Sequence, residues 1–109
     1  TICMTHMSHV YPQGANLYFI FLAKMSSLEE FKAYHAGILD AIQKSGAAMS
    51  HHHGIGKMFG PWLEGAVGRN EYGVIRALKQ YFDPDNIMNP GGTLGLDVPQ
   101  EEKRFLKAL

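Results

Sequence analysis

The run from Asn16 to Lys24 (NLYFIFLAK) constrains the fold more than any other part of the chain. Aromatic and branched residues fill it, and these favour a pleated strand. Just ahead, Tyr11-Pro12-Gln13-Gly14 puts Pro and Gly where a chain reverses. Ile2 to Val10, before that turn, alternates imperfectly: Ile2, Met4 and Val10 share one parity, Cys3 and Met7 the other. The two runs are expected to pair as an antiparallel β-hairpin. Its second strand is apolar on both faces and calls for cover on both sides, within a chain of 109 residues that amounts to one domain.

A helix should follow. In Ser26-Ser27-Leu28-Glu29-Glu30 either Ser can cap, each with a Glu three residues on. Leu28, Phe31, His35, Ile38 and Ile42 then form one helical stripe, with His35 expected as a satisfied core histidine. Gly46 ends the helix where a left-handed residue is wanted. Ala47 to Ser50 is short enough to return as a strand beside the hairpin. The order β-β-α-β gives an α+β class: an antiparallel sheet with helices, part of a ferredoxin-like cap, followed by a helical C-terminal segment.

Residues 1–50 form the first segment and 51–109 the second, where the composition changes. HHHGIGKMFGP is polar and Gly-rich and reads as a loop up to Pro61, which starts a short helix through Trp62 and Leu63. Gly68 separates it from a second helix over about residues 70–82, striped by Ile75, Leu78 and Phe82. Pro84 bars the α region at Asp83 and stops it. Asp83-Pro84-Asp85-Asn86 and Asn89-Pro90-Gly91-Gly92 are turns, and the tail from Gln100 reads as a last short, charged helix.

Charge narrows the partners. Lys plus Arg is 10 and Asp plus Glu is 10, a formal balance of zero, so no face is built for nucleic acid. Apolar residues make up 46% and charged ones 18%, which excludes disorder and implies apolar surface meant for more protein, a homodimer or a lipid among the candidates. The single Cys3 excludes an internal disulfide framework and fits a reducing compartment. No apolar run approaches the roughly 20 residues that span a bilayer, and no signal-peptide pattern opens the chain. The expected location is cytoplasmic, with membrane association open. The abrupt start in β-like sequence suggests a piece of something larger.

His51-His52-His53 carries the chemistry that most needs explaining. A tag would sit at a terminus and would not be followed by Gly-Ile-Gly-Lys; a solvated loop is the bland alternative. A metal site fits poorly, because consecutive side chains on extended backbone diverge, and zinc prefers spaced pairs. Only His6 and His9 on the hairpin could join it. The remaining reading is an acid/base and anion-holding loop: imidazoles titrate near neutrality, glycines let a ligand approach the backbone, and Lys57 adds a fixed charge. Tyr18 begins the strongest strand, where a Tyr more often simply packs. Neither a Gly-rich nucleotide cradle nor a nucleophile elbow is present.

SHHHGIGK together with LKQYFDPDNIMNPGG resembles the C-terminal end of FAD-linked oxidases of the vanillyl-alcohol-oxidase type, collinearly from about residue 5 to residue 92. That resemblance implies a flavin held by an upstream domain, with this chain as a cap over the reactive face and Asn89 near the flavin. The metal-dependent 2-hydroxy acid dehydrogenases of the group carry metal ligands at positions that fall here on Tyr11, Tyr18 and His52, so no metal is expected. Gly14-Ala15-Asn16-Leu17-Tyr18-Phe19-Ile20-Phe21 and Ser50 to Lys57 are instead similar to the alkyldihydroxyacetonephosphate synthases. That family exchanges the acyl chain of acyl-dihydroxyacetone phosphate for a fatty alcohol by way of flavin N5, without net redox. It implies a catalytic Tyr18 and active-site His51, His52 and His53; the fixed charge of Lys57 makes it the substrate-binding candidate. An Arg the family uses lies upstream, and the tail Lys107-Ala108-Leu109 is not the S-K-L peroxisomal address. A flavin oxidase or dehydrogenase of an alcohol or 2-hydroxy acid is the second reading; a free-standing anion-binding module is the third.

Overall fold

A computed structural model describes residues 1–106; Lys107, Ala108 and Leu109, read above against a peroxisomal address, lie outside the described residues. The class is α+β. Strands β1 (Ile2–Tyr11) and β2 (Gly14–Leu22) precede helices α1 (Leu28–Lys44), α2 (Gly56–Val67) and α3 (Arg69–Phe82). The chain folds as two compact units, residues 1–35 and residues 36 onward. These packing units are not the segments 1–50 and 51–109 that composition separates.

In the first unit β1 and β2 form a two-stranded antiparallel sheet, with Ile2 opposite Leu22 and His6 opposite Tyr18. The register breaks between Ser8 and Val10, where His9 is inserted as a bulge with φ of 52°. This explains the imperfect alternation of the sequence. Beyond the bulge Val10 pairs with Ala15, so it shares the face of Met7 and Leu17 rather than that of Ile2 and Met4. Pro12, with its fixed negative φ, excludes the primed two-residue turns whose twist suits a hairpin; a bulge adds right-handed twist. Both faces of the hairpin stay open: Ile2, Met4, Met7, Leu17, Phe19, Ile20 and Leu22 are all exposed. The cover that β2 calls for does not come from its own hairpin.

Helix α1 starts as its sequence dictates, with Ser27 as the cap. The Glu30 backbone N–H donates to Ser27 Oγ (3.1 Å), and Glu30 Oε2 reaches back to accept from the Ser26 N–H (2.6 Å). Gly46, at φ 78°, closes the other end. The expected stripe is rotated. Leu28 and Phe31 are exposed, whereas Leu39 and Gln43 are buried. His35 is only half-buried, its ring stacked on Phe31 at 5.9 Å, and burial holds its imidazole below the usual range.

Two expectations fail after residue 46. Ala47 to Ser50 forms no strand: it has no β-branched residue and follows a closed helix cap. The loop ends early, because α2 begins at Gly56 and carries Pro61 inside it rather than at its start. Proline removes the bond that the Lys57 carbonyl would accept within the helix. Against that cost, Gly60, Trp62, Leu63 and Glu64 are all buried around it. The tail does form its short, charged helix, a single 3-10 turn at Gln100–Glu102, and then runs extended at Lys103.

Gly68 serves two helices. Its N–H donates to the Glu64 carbonyl (2.9 Å), ending α2, while its own carbonyl accepts from Tyr72 (3.1 Å), opening α3. Helix α3 also turns a different face inward from the expected one. Tyr72 is 1% exposed, whereas Leu78 and Phe82 are more than half exposed. Lys79 and Asp83, seven and eleven residues on from Tyr72, share its face and form an ion pair there.

The last segment straps the helical unit together. The Arg104 N–H donates to the Pro61 carbonyl (2.8 Å), and Arg104 pairs with Asp40, which also accepts from the Trp62 indole (2.8 Å). Lys103 bonds Glu64 at 2.7 Å and stands 4.6 Å from the Tyr72 ring centre. Gly60 and Gly95 meet backbone to backbone, since a Cβ on Gly60 would lie 2.9 Å from the Gly95 Cα. Burial pushes the Asp40 carboxyl up, but the Trp62 and Arg104 hydrogen bonds and the Arg104 and Lys44 charges hold it below the usual range. Among the described residues no helix is long and apolar enough to cross a membrane.

Candidate functional site

The sequence-derived residues fall into two groups, one in each unit. In the first, Tyr18 is half-buried on β2 and flanked by two imidazoles of its own hairpin. His6, its cross-strand partner, has its ring centre 5.8 Å from that of Tyr18; His9, from the bulge, lies at 6.4 Å. Both rings are tilted against the phenol. A left-handed backbone at a non-glycine residue costs about 1–2 kcal/mol, so the bulge spends stability to turn the His9 ring to the Tyr18 side. The sequence offered His6 and His9 only as metal candidates; the imperfect alternation of β1 was the signal of the bulge.

In the second unit the triple histidine corrects the expectation that consecutive side chains diverge. The backbone bends at each of the residues from His51 to His53 instead of running extended, and the rings gather. His51 Nδ1 and His52 Nδ1 are 2.8 Å apart, a bond that needs one ring to donate and the other to accept. His52 and His53 meet edge to face at 4.3 Å. All of these rings are exposed. Gly54 and Gly56, both at positive φ, carry the chain from this cluster into α2.

Lys57, in the first turn of α2, reaches toward the Asn89–Gly92 turn: a Cβ on Gly91 would sit 3.9 Å from its ammonium. Asn89 itself has φ of 49°, and its carbonyl accepts from the Gly92 N–H (3.1 Å) and the Thr93 hydroxyl (3.0 Å). Its side-chain amide lies over Gly92, where a Cβ would come within 2.7 Å of Oδ1. Gly92 thus leaves a space that only glycine allows, and the Asn89 amide occupies it. The fold brings Lys57 and the turn bearing Asn89 into one neighbourhood.

Asp83 does more than stop a helix before Pro84: it builds this turn. Its carboxylate accepts from the backbone N–H groups of Ile87 and Met88, each at 2.9 Å, and pairs with Lys79. Lys79 also donates to the Met88 carbonyl (2.9 Å). The Lys79 bond and the backbone donors hold the Asp83 carboxyl below the usual range, burial opposing them. The motif's Asp-Pro is therefore an anchor for the loop that carries Asn89.

No solved structure matches the chain. Residues 2–93 match the family described as FAD linked oxidases, C-terminal domain. Over 92 residues, 82% of its length, the chain is 39% identical to the alkyldihydroxyacetonephosphate synthase of Dictyostelium discoideum, of which it covers 15%. It is 36% identical over 93 residues to the uncharacterized FAD-linked oxidoreductase YgcU of Escherichia coli O157:H7, covering 79% of the chain and 19% of that protein. The glycolate oxidase subunit GlcD of Bacillus subtilis is 33% identical over 71 residues, 65% of the chain and 15% of the subunit. The chain thus spans less than a fifth of the length of these relatives. With most of its length covered by the family match, the chain belongs to the C-terminal domain of the FAD linked oxidases.

Proposed function

We propose that the chain is the cap of an FAD-dependent enzyme that exchanges the acyl group of acyl-dihydroxyacetone phosphate for a fatty alcohol. The observation that supports this most is the gathered imidazole triplet at the entrance to α2, in a chain 39% identical to an alkyldihydroxyacetonephosphate synthase. The exchange consumes an acyl ester and an alcohol and yields an ether and a fatty acid, with no electrons left over. One carbon–oxygen bond breaks as the carboxylate departs, and another forms to the alkoxy oxygen.

Tyr18 is assigned to proton transfer at the substrate carbon, since a strand is a rigid mount and a catalytic group must stand within hydrogen-bond reach of its proton. His51, His52 and His53 accept and return the alcohol's proton, a role suited to rings that can donate or accept. Lys57 holds the phosphate by charge. An upstream domain binds most of the FAD, because this chain has no phosphate-cradling glycine loop, and the Asn89 amide offers one contact to the flavin. Bound FAD would supply the electrophile that carries the substrate fragment between the two halves of the exchange.

The test is to give the full-length protein FAD, acyl-dihydroxyacetone phosphate and a radiolabelled fatty alcohol. Labelled ether product with an equal amount of fatty acid is expected. The similarity to a glycolate oxidase subunit favours a second reading, a flavin oxidoreductase of an alcohol or 2-hydroxy acid. Reduction of an electron-accepting dye by such a substrate, with no labelled ether, would replace the first reading with the second.

A further inference from the structure

We infer that His9 is a positioning residue for Tyr18, and that the β-bulge in β1 exists to deliver it. The inference rests on Tyr18 being the catalytic group proposed above. In a regular ladder, the residue after Ser8 would face the side of Met7 and Leu17, away from Tyr18. Inserting His9 as the extra residue of the bulge breaks that alternation, and its ring reaches to 6.4 Å from the Tyr18 ring centre. His6, in regular register, supplies the second ring at 5.8 Å. Tyr18 thereby has two imidazole rings beside it, one from the regular ladder and one from the bulge, and their packing is what would orient the phenol.

The backbone argues for a selected feature. His9 adopts φ of 52°, where glycine or asparagine would be the comfortable choice, and it is exposed, so no core packing demands its side chain. Bulges are common beside active sites, where they re-aim a side chain, and strained residues persist where surrounding structure imposes them. A residue kept only for the turn of the chain would be replaced by glycine with profit to stability.

That contrast gives the experiment. His9→Gly in the full-length protein relieves the backbone and removes the ring; His9→Asn, also tolerant of positive φ, is the second variant should the first fold poorly. Melting temperature, kcat and KM for the exchange, and the Tyr18 ring resonances in tyrosine-labelled protein, assigned through Tyr18→Phe, are measured together. Expected are an unchanged or higher melting temperature, shifted Tyr18 resonances, and kcat lowered about tenfold with KM within about twofold, a smaller loss than the roughly 100-fold or more for removing the proton-transfer group itself. Unchanged Tyr18 resonances overturn the inference whatever the rate does, and so does an unchanged kcat in an active enzyme. Where the wild-type protein shows no exchange at all, the proposed reaction fails, and the Tyr18 resonances alone decide for or against His9.

Discussion

Residues 1–35 and the unit from Ala36 onward bury themselves to different degrees. The hairpin unit has no buried side chain, and its large apolar residues lie half open on both faces. The helical unit hides Leu39, Trp62, Leu63 and Tyr72, and ties them with Lys103 to Glu64 and Arg104 to Asp40. Each carries part of the proposed chemistry, Tyr18 on the one and the histidine triplet on the other. The difference separates two demands on a chain: stability is concentrated in the helices, whereas the hairpin presents side chains and relies on surfaces beyond itself for cover.

The largest effect that could break this contrast is in the helical core. Trp62→Ala should cost about 3–5 kcal/mol, as truncation of a buried indole does, and it also removes a donor from Asp40. Phe19→Ala on the open hairpin should cost about 1 kcal/mol. Thermal melts of both variants check the ratio. Equal losses in the full-length protein would reveal how completely another surface covers the hairpin.

Tyr18→Phe inverts the ranking when turnover is measured. It should lower kcat roughly 100-fold, about 2.7 kcal/mol of barrier, while shifting stability by about 1 kcal/mol or less. Truncating all of His51, His52 and His53 should slow turnover no more than the worst single truncation, if they act as a unit. Near-normal turnover in Tyr18→Phe would remove the phenol from the mechanism.

Next comes the close approach of the strap to α2. A Cβ on Gly65 would fall 2.8 Å from Gln43 Nε2 and closer still to the Arg104 carbonyl. Gly65→Ala should therefore destabilise by about 1–3 kcal/mol, despite alanine's better helix propensity. A denaturant melt in which Gly65→Ala is neutral would show that the strap yields freely.

The smallest effect, and the one that sharpens the contrast, is its dependence on pH. His35 in the first unit has a lowered pKa, so its contribution is complete above the unfolded value of about 6.5 and is lost as pH falls through the folded one. Asp40 and Asp83 in the second unit are also lowered, so theirs is complete above about pH 4 and is lost only below that, through their folded values. Residue-resolved melts by NMR should see the hairpin unit soften in mild acid while the helical unit holds until stronger acid. Simultaneous softening would argue that the two units share one transition.

Much of this was legible in the residues. Turn chemistry at Pro12, the Ser27–Glu30 cap, Gly46, Gly68 and Pro84 all act where their stereochemistry requires, because each works through its immediate neighbours. What escaped was decided by partners far along the chain. Helix α2 runs through Pro61 where the strap from Gly95 to Arg104 packs on it, and α3 turns Tyr72 inward, where Lys103 of the same strap stands over its ring. The histidine triplet departs from its expected divergence for a local reason: bends, unlike extended backbone, bring neighbouring rings together. Its residues were readable; their convergence was not.

The strap has a consequence for how the protein is made. Glu64 and Lys103 lie 39 residues apart, and Arg104, which holds both the Pro61 carbonyl and Asp40, is translated later still. At about 5–20 residues per second, roughly 2–8 seconds separate synthesis of Glu64 from that of its cation. Throughout that interval the Glu64 carboxylate, buried in the folded unit, lacks the cation that pairs with it there. Closing the core early would bury an unpaired charge. The helical unit can therefore pair Glu64 only once Lys103 has been made, after the whole hairpin.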